Sequence, residues 1–102
     1  MADQLYTIGV AAELCGMHEQ SLRMYERRGL IAPQRSAGNI RQFSAADIER
    51  IRFIKRLVDD LGVNLAGVEV ILHMRQQLLE AQDELEALRP PHSAADAEHP
   101  AP

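Results

Sequence analysis

Positive charge is concentrated in the middle third of the chain. Residues 18–56 carry nine basic side chains against four acidic ones. The basic side chains are Arg23, Arg27, Arg28, Arg35, Arg41, Arg50, Arg52, Lys55 and Arg56. Because acidic residues are sparse around them, we expect these cations to be available to a polyanion, and arginine in particular binds phosphate oxygens in a bidentate manner.

The rest of the chain is acidic. The 102-residue sequence has a formal net charge of −4, and residues 57–102 hold nine acidic side chains against two basic ones. A basic segment joined to an acidic one indicates polyanion binding at one end and a different task at the other.

The sequence lacks the residue patterns that are typical of catalysis or metal binding. The chain has one cysteine, Cys15, which we expect to be a small buried hydrophobe, and four histidines that are far apart in sequence. We find no glycine-rich phosphate loop and no Ser-His-Asp or Cys-His arrangement. The sequence therefore predicts a protein that is not an enzyme and has no metal site and no cofactor. The lack of a disulfide pair, a leader and an apolar run of about 20 residues predicts a cytoplasmic protein with no membrane partner.

The elements that would position the basic residues are mainly helical. Thr7 can cap a helix through Cys15, and a second helix is predicted from Glu19 to Arg28, ending at Gly29; together they outline a helix-turn-helix. That outline is also compatible with a helical hairpin of no DNA-binding function. Turn residues at 36–39, with an arginine on each side, predict a β-hairpin, or wing.

Two further helices follow in the sequence. A capping box at Ser44 opens a third helix. Its predicted apolar stripe consists of Ile48, Ile51, Ile54, Leu57, Val58 and Leu61. Asn64 can cap a fourth helix.

An apolar seam continues along the acidic part of the chain. Its positions alternate by three and four residues and are Ile71, Met74, Leu78, Ala81, Leu85 and Leu88. This is the a/d spacing of a coiled coil, although two and a half heptads also fit a helix buried within one chain. We predict a DNA-binding domain over 1–74, a dimerisation helix over 75–89 and, because it is rich in proline and alanine, a disordered tail over 90–102.

Four further motifs occur in order along the chain. They are Tyr6-Thr7-Ile8-Gly9, the run from Leu22 to Ile31, Arg41-Gln42-Phe43-Ser44 and Ile51-Arg52-Phe53-Ile54-Lys55. Together they resemble the winged DNA-binding domain of MerR-type transcription regulators. The resemblance covers roughly residues 5–74. It implies a mainly α, winged helix-turn-helix fold followed by a short dimerisation helix, with double-stranded DNA and a second copy of the chain as partners.

The resemblance also implies roles for individual residues. The second helix would enter the major groove, with His18, Gln20 and Ser21 near base edges. Arg23 and Tyr25 match family positions that hold DNA from that helix, and Arg41 matches the wing arginine. Arg27, Arg28 and Arg35 are further candidate DNA contacts. A solvated helix face for the arginines of the second helix and a core position for Tyr25 are the competing interpretations.

The run Gly62-Val63-Asn64-Leu65-Ala66-Gly67-Val68 further resembles the heat-shock repressors of this family. That resemblance implies a repressor of chaperone genes that binds an inverted repeat, with a DnaK-type chaperone as co-repressor. The single cysteine and the few residues after the seam lead us to expect no metal, redox or drug-sensing input. Two alternatives stay open, a MerR-type activator and an architectural DNA-bending protein of the excisionase kind.

Overall fold

The computed structural model describes residues 4–90, which form four α-helices and one small antiparallel sheet. In chain order the elements are α1 (Ile8–Cys15), α2 (Glu19–Arg27), β1 (Gln34–Arg35), β2 (Arg41–Gln42), α3 (Ala45–Lys55), a π-helical turn (Arg56–Asp60) and α4 (Leu65–Ala87). The predicted mainly α fold with a winged helix-turn-helix is thereby confirmed. Residues 91–102 of the predicted tail lie outside the described residues.

Local capping fixes the two helices of the helix-turn-helix. The Thr7 hydroxyl accepts a hydrogen bond from the backbone N–H of Val10, as the sequence predicted, and α1 ends at Gly16 with φ of 66°. Gly29 follows α2 with φ of 77°. Both glycines take the left-handed conformation, which side chains with a Cβ rarely adopt, so each ends its helix sharply.

The wing is a hairpin with strands of two residues each. Gln34 pairs with Gln42 and Arg35 pairs with Arg41, and the Ser36 hydroxyl accepts the backbone N–H groups of Gly38 and Ile40 in the turn. At the base of the hairpin, Tyr6 and Phe43 exchange two backbone hydrogen bonds of 2.8 Å. This bridge ties the segment before α1 to the end of the wing.

The apolar stripe of α3 is shorter than predicted. The capping box at Ser44 is present, and Ile48, Ile51, Ile54 and Leu57 are buried. Leu61, however, is 70% exposed, so its predicted place on the stripe is wrong. The reason is the π-helical turn before it, which puts more residues into each turn and rotates Leu61 away from the stripe.

The core draws on all four helices and on Phe43 at the base of the wing. Its largest fully buried side chains are Phe43, Leu22, Ile51, Ile54 and Val68. They come from the wing, α2, α3 and the first turn of α4, while α1 adds Ala11, Ala12 and Cys15. The second helix and the base of the wing are therefore fixed to one hydrophobic core.

The fourth helix is continuous through the predicted domain boundary at 74. The Asn64 side chain accepts the Gly67 backbone N–H at 2.8 Å, which caps the start of α4. The chain divides into two compact units between Glu69 and Val70, within this helix.

Candidate nucleic-acid interface

The outward face of α2 is polar and begins with three exposed residues. His18 is the N-cap residue, and Glu19 and Gln20 follow it on the surface, while Ser21 is half-buried. Leu22 and Tyr25 point inward and anchor the helix in the core. The start of α2 therefore presents side chains that can donate to or accept from base edges.

The arginines of α2 lie farther along its surface and differ in their surroundings. Arg23 pairs with Glu19 at 3.3 Å, and Arg28 pairs with Glu69 at 3.6 Å. Arg27 is exposed and forms no ion pair among residues 4–90. Both pairs are exposed to solvent, so each is weak and its arginine can exchange its carboxylate for a phosphate.

Tyr25 lies in the core. It is 5% exposed, and burial raises the pKa of its hydroxyl, with a smaller contribution from the negative charge of Asp59. The ring therefore packs in the core and cannot stack on a nucleotide, while the predicted DNA contact of Tyr25 stays a prediction.

The two arginines of the wing share one carboxylate of α2. Arg41 Nε donates to Glu26 Oε1 at 2.7 Å, and Arg35 Nη2 donates to Glu26 Oε2 at 3.2 Å. The hydrogen bond from Arg41 is the main reason that the pKa of Glu26 lies below its ordinary value, and the charge of both arginines adds to the effect. This cluster joins α2 directly to both strands of the wing, and we call it the Glu26 cluster.

The expectation that the basic residues would lack acidic neighbours is wrong for five of them. Each has a carboxylate oxygen within 3.6 Å, and the five are Arg23, Arg28, Arg35, Arg41 and Lys55. Glu26 and Glu69 were missed because their partners are distant in sequence. The position of Glu26 as a single acid among arginines could have indicated its ion pairs from the sequence.

The predicted seam residues of α4 are largely exposed. Met74, Leu78, Leu85 and Leu88 are 60%, 58%, 67% and 81% exposed, Ala81 is also exposed and Ile71 is half-buried. An apolar row of this kind on an otherwise charged helix is a surface that burial would stabilise.

Cys15 is buried in the first helix, as the sequence predicted, and burial raises the pKa of its thiol. Within residues 4–90, the structure shows no cluster of three or more side chains suited to hold a metal ion. None of the described helices is long and apolar enough to cross a membrane.

The fold and the exposed α2 beside a basic hairpin define a winged helix-turn-helix protein. Comparison with known proteins refines this class, because residues 6–75 match the MerR HTH family of regulatory proteins. The chain belongs to this family, which confirms the predicted membership.

Three relatives illustrate the range of similarity. The chain is 47% identical over 78 residues to a protein named as heat shock protein HspR of Streptomyces coelicolor, which covers 76% of this chain and 52% of the relative. It is 51% identical over 69 residues to the HTH-type transcriptional regulator MlrA of Salmonella typhimurium, covering 67% of this chain and 28% of the relative. GlnR of Bacillus anthracis, another HTH-type transcriptional regulator, is 36% identical over 77 residues, covering 76% of this chain and 59% of the relative. The chain thus spans about half of HspR and less than two thirds of each relative named here.

A solved structure shares the fold. HiNmlR, a MerR family regulator that lacks the sensor domain and was crystallised with promoter DNA, has a TM-score of 0.63 at 24% identity. The similarity covers 79% of this chain and 69% of that one.

Proposed function

We propose that this protein is a cytoplasmic, sequence-specific DNA-binding repressor that binds an inverted-repeat operator as a homodimer. The observation that carries the proposal is the placement of α2 and the wing side by side, with five arginines on them (Arg23, Arg27, Arg28, Arg35 and Arg41). In this proposal His18, Gln20 and Ser21 read base edges, and the arginines bind the phosphates beside them. Tyr25 supports α2 from the core, and its predicted DNA contact is part of the same proposal.

The dimer is proposed from the seam on α4. The exposed apolar side chains of Met74, Leu78, Leu85 and Leu88 would be buried against the same residues of a second chain. A two-fold symmetric dimer presents two copies of α2, so its operator is an inverted repeat.

The regulated genes are proposed from the similarity to HspR. In that proposal the protein represses heat-shock and chaperone genes, with a DnaK-type chaperone as co-repressor that unfolded proteins draw away during heat stress. The basis is the 47% identity to HspR over 78 residues and the run at 62–68 that resembles heat-shock repressors. The exposed parts of the acidic segment 57–89 are the proposed chaperone contact.

Selection of bound sequences from a random duplex library tests the DNA-binding part of the proposal. We expect an inverted repeat whose half-sites are separated by whole turns of DNA, and genomic sites upstream of chaperone genes that are vacated after heat shock. Continuous coverage of neighbouring sites without a palindrome would instead identify an architectural DNA-bending protein, and increased transcription from the bound promoter would identify an activator.

Operator binding in a purified system tests the regulatory part. We expect binding to strengthen when the DnaK-type chaperone is added and to weaken when a denatured client is supplied. Operator binding that does not change when the chaperone is added, but is lost on warming at low protein concentration, would contradict the co-repressor role. It would show that the short seam itself responds to temperature.

A further inference from the structure

Glu26 stands out because it is an acid at the centre of a basic surface. Its carboxylate joins the last turn of α2 to both strands of the wing through Arg35 and Arg41. A negative charge close to bound phosphates lowers the affinity for DNA. We therefore expect Glu26 to have a second effect that offsets this loss.

The wing is anchored at its base by Phe43, but its two strands have little support of their own. Each strand has two residues, and a two-stranded hairpin of this size is marginal in isolation. Arg35 and Arg41 are also direct cross-strand partners, and like charges in that position repel each other. Glu26 binds one arginine with each of its two oxygens and offsets this repulsion.

The geometry makes the Glu26 cluster more than a surface ion pair. The side chains of Glu26 and Arg41 are 23% and 25% exposed, and their hydrogen bond of 2.7 Å is short and charge-assisted. Arg35 is also held from a second direction, because its Nη1 donates to the Asn39 carbonyl oxygen in the hairpin turn at 3.3 Å. The distance between α2 and the wing is therefore set by a network that is largely formed before DNA arrives.

We propose that Glu26 is a specificity-determining positioning residue, which holds the wing at a fixed place beside α2 and offsets one positive charge of the interface. The proposal rests on the proposed DNA-binding function. A fixed wing lets the phosphate contacts form only when α2 is in register with its bases, whereas the offset charge weakens binding to DNA of any sequence. Glu26 thus increases the ratio of operator affinity to non-specific affinity.

The test compares the full chain with the Glu26→Gln variant, which keeps the shape of the side chain and removes its charge. Affinity for the selected operator and for a scrambled duplex is measured over a range of salt concentrations. We expect the salt slope of non-specific binding to steepen by about 0.9 for each protomer bound. We expect the operator-to-scrambled affinity ratio to fall roughly tenfold, the size of one charge-assisted contact.

Glu69→Gln is the matched control. It removes the same charge from an acid that also pairs with an arginine of α2, Arg28, but does not touch the wing. We expect it to leave the affinity ratio and the NMR order parameters of the wing amides at 36–40 unchanged, whereas Glu26→Gln lowers those order parameters. The double variant Glu26→Gln with Arg35→Gln restores the net charge, so its salt slope returns to the wild-type value while the wing stays mobile.

The outcomes separate the two proposals. A wild-type protein without sequence preference overturns the proposed function, and with it the role of Glu26 in specificity. A wild-type protein that prefers its operator, combined with a Glu26→Gln variant of unchanged ratio and unchanged salt slope, overturns the role of Glu26 alone. A variant that melts earlier and loses affinity equally for both duplexes also overturns it, because it would show only a general contribution to folding.

Discussion

Arginine side chains on α2 can serve as surface ion-pair partners or as phosphate ligands, and salt dependence distinguishes the two. Arg23 is one-third exposed and its pairing with Glu19 at 3.3 Å joins residues one helical turn apart. Such pairs contribute about 0.3–0.5 kcal/mol to stability, so losing this one has little effect on folding. A phosphate contact has a much larger effect on binding.

Replacing Arg23 with alanine should therefore leave the fold intact and weaken binding to all DNA sequences alike. If Arg23 neutralises one phosphate in each half-site, the salt slope of the dimer decreases by about two. Arg89→Ala is the control, since Arg89 follows α4 and pairs with Glu86 in the acidic part of the chain. An Arg23→Ala protein with the wild-type salt slope would remove this residue from the phosphate contacts.

The charge of Glu26 gives a pH dependence whose sign is fixed by its environment. The hydrogen bond from Arg41 and the charges of Arg41 and Arg35 lower the pKa of Glu26 below 4.5, its ordinary value. A carboxyl whose pKa is lower in the folded state stabilises the fold above the unfolded-state pKa and loses that contribution as the pH falls through the folded-state pKa.

We therefore expect the difference in the free energy of unfolding between wild type and Glu26→Gln to be constant near neutral pH. It should shrink as the pH falls below about 4.5, the ordinary pKa from which Glu26 is lowered. Urea denaturation at a series of pH values measures it. A difference that persists unchanged in strong acid would show that the carboxylate charge does not hold the wing.

At the scale of elements, the helix ends that depend on local capping and turn residues were predicted from the sequence. Thr7, the capping box at Ser44 and the glycines at 16 and 29 act within a few residues of their own positions, so the limits of α1 and α2 and the start of α3 followed closely from the sequence. The π-helical turn at Arg56–Asp60 did not. Nothing in its residue types distinguishes it from a continuing α-helix.

Contacts between residues that are distant in sequence were not predicted either. Glu26 lies nine residues before Arg35 and fifteen before Arg41, and the hairpin has to fold back onto α2 before these side chains meet. The sequence therefore predicted the candidate DNA contacts as separate cations, whereas the fold joins two of them through one acid. Tyr25 is a similar case, because its burial depends on how α2 packs.

The start of α4 gives a stability prediction at the element scale. A Cβ added at Gly67 would lie 2.8 Å from Val63 Cγ1 and 3.3 Å from Asn64 Oδ1. Valine is stiff at χ1, and the Asn64 oxygen is held by the cap hydrogen bond, so neither neighbour moves away freely. The cost of such overpacking is about 1–3 kcal/mol, which outweighs the gain of up to about 1 kcal/mol from replacing a helical glycine.

We expect Gly67→Ala to lower the free energy of unfolding by about 1 kcal/mol, measured by thermal or urea denaturation. In a Val63→Ala background the closest contact is gone, and the same substitution should cost nothing or stabilise the helix. An equal loss in both backgrounds would show that Val63 is not the obstacle.

For the whole molecule, the division of the sequence into a basic and an acidic part corresponds to the division of the chain into two compact units. The basic residues are on the winged unit that ends at Glu69, and the acidic helix beyond it carries the apolar seam. A basic surface that binds each half-site and a separate surface that joins two chains divide the proposed function between the two units. Dimerisation can then be removed without changing the DNA-binding surface itself.

Leu85→Asp tests this separation at a position within the seam. Leu85 is 67% exposed in the single chain and would be buried in the proposed dimer, where an unpaired charge costs about 3 kcal/mol or more. The dimer dissociation constant should therefore rise at least about a hundredfold. Affinity for the full inverted repeat should drop to that of a half-site, while half-site binding stays the same.

The matched control is Leu79→Asp, the same substitution at an exposed position outside the seam, which should leave the dimer intact. Sedimentation of both variants measures the outcome: a Leu85→Asp protein that still sediments as a dimer would place the interface elsewhere, and dissociation of both would show that it extends beyond the a/d positions.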